Sequence, residues 1–307
     1  MHIKIPCFHN KSIYTLFLTS FVFFSSVCHG HIRDYQTTRL KSTGGAGAGS
    51  FLVDESLFLN PSSLGFFDIG SLYYQSNSVD YSSDSSLAPF SNDAKDKAII
   101  ASDSKGQNAG AFGYISQSRG DQERKTFAVS LARPIGEKSS FGVSYRRVID
   151  RQYDDPTNQL AISSERYNEF SIGVTHALSE YFSFGVVIND PAKARDNTYA
   201  TIGFQYFFHD YIVVIGDMSG DYTQNISDTA IYRGAIQVKF LNDFFLRGGG
   251  FKDNKRDESG TGVGIGWVGP KLVFELAVQN IDVKESTVLS RPKQEIKETS
   301  FSIAYKF

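Results

Sequence analysis

The sequence predicts an all-β protein, an antiparallel transmembrane β-barrel of about fourteen strands with an N-terminal plug segment. Three observations predict it. The chain ends in strict alternation, with Phe301, Ile303, Tyr305 and Phe307 on one face and Ser302, Ala304 and Lys306 on the other. That is the period-two signature of a strand with one apolar and one polar side. Short alternating segments of the same kind recur from residue 66 to the C-terminus. The links between them alternate short and long, as in a meander with tight turns at one rim and longer loops at the other.

The elements follow in order. Lys4 and Lys11 flank the start of an apolar run, Ile13 to Phe24, and small residues follow from Ser25 to Gly30. A basic region, an apolar stretch and a small-residue cleavage site make a secretory leader. The run is shorter than the ~20 residues that a membrane helix needs. Residues 1–30 are therefore read as a signal peptide cut after Gly30. Lipidation at Cys28 is set aside because Val27 before it is a poor fit. Cleavage removes Cys7 and Cys28, which excludes a disulfide, a thiolate nucleophile or a cysteine metal site in the mature chain. It also removes two lysines and no acid, so formal charge moves from -2 to -4. That balance gives no footprint for nucleic acid. With 26 Phe and 16 Tyr against 1 Trp, the aromatic content suits a wall that meets lipid outside and water inside.

Residues 31–65 do not alternate and are assigned to the plug. They carry a glycine cluster, Gly44 to Gly49, then Phe51-Leu52, Leu57-Phe58-Leu59 and Asn60-Pro61. The cluster is no phosphate loop: no strand precedes it, no Gly-Lys-Ser/Thr closes it, and the G-x-G-x-x-G spacing is absent. A fourteen-stranded barrel is too wide for its own side chains to fill, so an inward segment is expected to occupy the bore. Gly44, Gly45 and Gly47 bend without a Cβ penalty. Phe51, Leu52, Leu57, Phe58 and Leu59 are expected to line an apolar path, and Asn60-Pro61 to fix the turn into the first strand. The alternative is a stiff lead that merely seals the bottom.

The barrel occupies residues 66–307. Its predicted strands are 66–75, 97–104, 109–118, 123–133, 139–149, 167–177, 181–189, 197–207, 210–218, 228–239, 243–252, 261–268, 271–280 and 297–307. Phe170, Ile172 and Val174 oppose Glu169, Ser171, Gly173 and Thr175, and Leu272, Phe274, Leu276 and Val278 oppose Glu275, Ala277 and Gln279. Among the links assigned to the long-loop rim, only 119–122 is short. An even strand count would place both termini at the short-turn rim.

Gly44-Gly45-Ala46-Gly47, Asp54, Leu57-Phe58-Leu59 and Asn60-Pro61, with Leu64 after, resemble the opening of the outer-membrane long-chain fatty-acid transporters. These FadL-type barrels include aromatic-hydrocarbon transporters. The family usually has Asn-Pro-Ala-Gly-Leu where this chain has Asn60-Pro61-Ser62-Ser63-Leu64. The resemblance covers residues 44–64 and implies a fourteen-stranded barrel with an inward plug. It implies passive uptake of small hydrophobic molecules such as long-chain fatty acids across the bacterial outer membrane. Relatives that serve secretion or assembly share the opening, so a structural barrel that binds protein partners is the alternative. A water-filled porin comes third. The terminal Tyr305 and Phe307 also resemble the C-terminal signal of outer-membrane barrels. With Phe301 and Ile303 they would be read by the barrel assembly machinery. Lipid and lipopolysaccharide are the other expected partners.

No enzyme is expected, and no cofactor or metal. His31, His176 and His209 lie at the start of the mature chain or beside short turns, away from the outer rim where a lipase or protease group would work. Acid pairs such as Asp154-Asp155 sit in polar loops without convergent ligands. Glu169, Asp217, Arg233, Arg247 and Glu275 fall on polar parity, so they should face the bore. A mid-membrane Arg facing lipid costs about 2–4 kcal/mol. An ion network is expected there, with Arg233 and Arg247 also the candidates to hold a cargo headgroup.

Overall fold

Backbone polar groups within a bilayer must be satisfied inside the protein, and for strands that requires closure. The computed structural model describes residues 32–83, 94–153, 161–193, 198–285 and 293–307. The leader, His31 and parts of four long links, Asp154-Asp155 included, lie outside the described residues. Fourteen strands form one closed antiparallel barrel. In chain order they are β1 Gly70–Ser83, β2 Ala94–Asp103, β3 Ala109–Arg119, β4 Gln122–Ile135, β5 Ser139–Tyr153, β6 Ala161–Ala177 and β7 Phe182–Asn189. The second half comprises β8 Tyr199–Phe208, β9 Ile212–Gly220, β10 Ile231–Phe240, β11 Phe244–Asp253, β12 Glu258–Val268, β13 Leu272–Val283 and β14 Gln294–Lys306. Each strand pairs with the next, and β14 closes on β1, with Gly70 N–H donating to Phe307 O at 2.9 Å and Phe307 N–H returning to Gly70 O at 3.0 Å.

Every predicted segment falls on one strand. Two begin several residues too early: residues 66–69 and 228–230 are not strand, the latter because Ile226–Thr229 forms a short helix. Asn60 caps a 3-10 helix, Pro61–Phe66, by accepting from Ser62 N–H at 3.1 Å, and the chain becomes extended only after it. Several strands also run further into the loop side than polarity suggested. β1 reaches Ser83 and β6 begins at Ala161. The ladder is held by backbone pairing, so it continues above the level where side chains must be apolar. The short 119–122 link is a tight turn, with Gly120 at φ 60°. At the opposite rim, Leu241 and Asn242 both take positive φ, 47° and 60°, as a two-residue hairpin of matching twist demands.

Alternation sorts the wall. Phe170, Ile172 and Val174 are exposed on the outside, whereas Glu169, Ser171 and Thr175 are buried inside. Phe301 and Tyr305 are likewise outward, Ile303 is half-exposed, and Ser302 and Ala304 point in. Aromatics gather near the short-turn rim, where Trp267 stacks on Phe274 at 5.7 Å and Tyr305 on Phe307 at 6.1 Å.

Residues 32–69 lie in the bore. A five-residue helix, Thr38–Ser42, packs on β12 and β13, and the 3-10 helix packs on β4, β5 and β6. Ile32 sits at the long-loop rim, where its carbonyl accepts from Arg124 Nη1 at 3.0 Å. The two ends of the barrel, Gly70 and Phe307, share the short-turn rim as the even strand count requires, while the described N-terminal segment starts at the opposite rim. The segment descends the whole bore before it joins β1.

Candidate functional site

The bore is shaped by where the wall has no side chains. Gly142 pairs with Gly173, and Gly185 with Gly203, all facing inward across β5 to β8. A methyl group at Gly173 would overlap Asn60 Oδ1, and one at Gly185 would overlap Ala48 O. On the far side, Gly249 pairs with Gly262, and a methyl at Gly249 would stand 2.5 Å from Thr43 C. The plug backbone therefore lies directly on the strand backbone. Asn60 links the two layers: its Nδ2 donates to Ala48 O at 2.7 Å and to Thr175 Oγ1 at 2.8 Å.

Inward charges are matched to the plug. Glu275 accepts from Arg247 Nη1 at 2.9 Å and from Arg39 Nη2 at 3.2 Å. Lys41 pairs with Glu298, Arg146 with Glu169 at 3.4 Å, and Arg119 Nη2 with Asp96 at 3.0 Å. Asp217 accepts from two plug amides, Gly47 N at 2.8 Å and Ala48 N at 3.0 Å. Buried ions without such partners would be costly, and the expected network is what the wall and plug jointly supply.

Between the plug and the wall a cavity of about 90 Å³ lies near the long-loop rim. Its apolar side is Leu40, Phe58, Leu59 and Phe251; its polar side includes Arg33, Tyr199 and Arg233. Phe58 is fixed edge-on to Tyr35, with ring centroids 5.0 Å apart. Arg33 lies over the Phe251 ring at 5.2 Å and pairs with Glu258 at 3.2 Å. Nearby, Asp221 accepts from Lys255 Nζ at 2.8 Å and ties two loops together. Burial alone would raise this carboxyl, but the hydrogen bonds from Lys255, Thr223 and Thr198 outweigh it and hold it well below the usual carboxylate range.

Of the residues expected to hold cargo, Phe58, Leu59 and Arg233 meet at this cavity. Leu57 is in the core with Tyr73, Ile100 and Ala111, Leu52 is buried, and Phe51 packs on Phe66 at 4.7 Å. Arg247 is buried in the Glu275 network. Gly44 and Gly45 take positive φ, 63° and 82°, at the bend after the plug helix. Asn60-Pro61 starts the 3-10 helix instead of turning directly into β1. Arg33, Leu40, Tyr199 and Phe251 also line the cavity, as do Asp34, Asp253 and Arg256, and sequence reasoning missed them. An aromatic on inward parity, as Phe251 is between Gly249 and Asp253, was the available signal. His176 lies on the outside at the short-turn rim, its Nδ1 2.7 Å from Ser139 Oγ, and His209 occupies a tight turn at φ 56°.

The barrel has the fold of FadL-type channels of solved structure. CymD, described as a monoaromatic hydrocarbon channel, superposes with a TM-score of 0.70 at 13% identity, covering 87% of this chain and 96% of its own. The toluene transporter TodX of Pseudomonas putida gives 0.69 at 11% identity, covering 91% and 99%. A FadL homologue of Pseudomonas aeruginosa gives 0.57 at 12% identity, covering 91% and 99%. No family model and no curated protein matches the sequence.

Proposed function

We propose that the chain is an outer-membrane channel for passive uptake of small hydrophobic molecules. The observation that carries this reading is the loop-side cavity, where plug residues Leu40, Phe58 and Leu59 present an apolar wall. It lies within a fold that hydrocarbon channels also use. The outer surface supports the location: Leu131, Ile202 and Val263 are 57%, 62% and 60% exposed, an arrangement suited to lipid and unfavourable in water. Cargo would dock between the plug and the wall, and the plug must then shift, because Leu57 and Leu64 below are fully buried. No energy input and no bond-making step belong to this reading. Phe301, Ile303, Tyr305 and Phe307 would form the face read during assembly, and lipid and lipopolysaccharide would surround the wall.

The test is uptake of radiolabelled toluene by cells that express the chain in their outer membrane. Faster uptake than in cells lacking it is expected, and equal rates would overturn the proposal. The filled bore is the one observation that favours a structural, partner-binding barrel. Equal uptake together with a protein partner bound at the loops would move the assignment there.

A further inference from the structure

Alternation should keep charge off the outer wall, yet one sector near the loop-side rim breaks the rule. Lys97 on β2, Lys125 on β4, Arg147 on β5 and Arg166 on β6 all take outward parity. Their neighbours Ala98, Thr126 and Val148 are buried, and Arg166 shares the parity of outward Phe170. The register gathers them. Lys97 pairs with Ser116, Ser116 with Lys125, Lys125 with Ile149 and Ile149 with Arg166. The row spans β2 to β6, and at about 4.8 Å between strands it is roughly 19 Å wide. Arg147 lies one outward step nearer the short-turn rim, diagonal to both Lys125 and Arg166.

The carboxylates of these strands mostly turn the other way. Asp96, Asp150 and Glu169 face the bore, where they pair with Arg119, Arg124 and Arg146. On the outside, Glu123 pairs with Lys125 at 2.8 Å and with Arg151 at 3.6 Å. Lys97, Arg147 and Arg166 are exposed, and among the described residues no carboxylate pairs with them. Aromatics on the same face fix their level. Tyr114 and Phe127 sit in the row of Arg147 with ring centroids 5.0 Å apart, and Tyr145 and Phe170 sit in the next row toward the short turns, 5.1 Å apart. Such aromatics mark the edge of the hydrocarbon, and the long loops of these barrels lie outside the cell. The three cations therefore stand at head-group height in the outer leaflet.

We propose that this sector of the outer wall binds lipopolysaccharide, the phosphorylated lipid of that leaflet, its phosphates received by Lys97, Arg147 and Arg166. The inference rests on the outer-membrane placement and is independent of cargo. A guanidinium fork matches a phosphate, and an ammonium serves it as a point charge. Cations spread over a row of that width suit a head group with more than one phosphate. Exposed Val129, Val143 and Ile172 offer apolar wall to the acyl chains on the membrane side of the patch.

The test titrates fluorescently labelled rough-type lipopolysaccharide with the barrel in non-ionic detergent and follows anisotropy. Wild type should bind it, and lipopolysaccharide stripped of its phosphates should bind at least about tenfold more weakly. A cation at an anionic lipid surface is worth about fivefold in affinity. Lys97→Gln/Arg147→Gln/Arg166→Gln should therefore lose on the order of a hundredfold, and Arg147→Gln alone about fivefold. Lys252→Gln, which changes an outward lysine on β11 away from the sector, should stay within about twofold. Heat-modifiability on gels shows that each variant is a folded barrel. Absence of binding by wild type, or binding that ignores the triple change or the phosphates, overturns the site. Phosphatidylglycerol that competes as well as unlabelled lipopolysaccharide overturns the choice of lipid. Each of these failures leaves toluene uptake to its own test.

Discussion

At the scale of single residues, Asn60 and Asp217 hold the plug, Asn60 through the Thr175 hydroxyl and Asp217 through two plug amides. Asn60 is 1% exposed, and its amide serves Ala48 and Thr175 while its carbonyl caps the following turn. Asn60→Ala removes both roles and strands a buried carbonyl at Ala48, a loss of about 1–3 kcal/mol. We expect a lower thermal midpoint in detergent, read by circular dichroism, and a midpoint equal to wild type would refute the role. The Asn60-Pro61 pair was legible as a motif, but its job as a helix cap was not, because nothing in the spelling separates a cap from a strand entrance. Asp217 was legible as inward by parity. That its partners would be two amides far away in the chain was not, since backbone donors are the same at every position. Leu57 and Phe58 are adjacent and similar in sequence, yet one is core and the other lines the cavity. Only the path of the plug distinguishes them.

At the scale of elements, the strands were readable because a wall between lipid and water imposes alternation on every one of them. Gly262, Gly264 and Gly266 on β12 alternate with Val263, Ile265 and Trp267. The structure shows what Gly262 and Gly264 make room for: Lys41 O and Ser42 Cβ lie where their side chains would be. Gly185→Ala tests this seat. The barrel ladder has no need of that glycine, whereas the plug does, and overpacking of such a contact costs roughly 1–3 kcal/mol. The expected outcome is a folded barrel with increased single-channel conductance in planar bilayers, because the plug no longer sits flush. A silent Gly185→Ala channel would show that the plug tolerates the displacement.

At the scale of the whole molecule, one seam, β1 on β14, closes the cylinder, and Phe307 completes its last rung. Phe307 exchanges both backbone hydrogen bonds with Gly70 and is 57% exposed on the outside. Deleting Phe307 removes the final rung and the terminal aromatic together. We expect less heat-modifiable, folded protein in outer-membrane fractions on gels, with the unfolded form accumulating, and an unchanged yield would contradict both roles.

The descent of residues 32–69 through the entire bore has a consequence for biogenesis. A tail that reaches from one rim to the other cannot be slipped in sideways once the first and last strands have joined. Gathering it inside while the ring is still open spares it an end-on passage through the finished cylinder, which favours furnishing the interior before the door is shut. Closure in the wrong order would yield a hollow hoop with its tail dangling, watertight around the circumference and leaking through the middle.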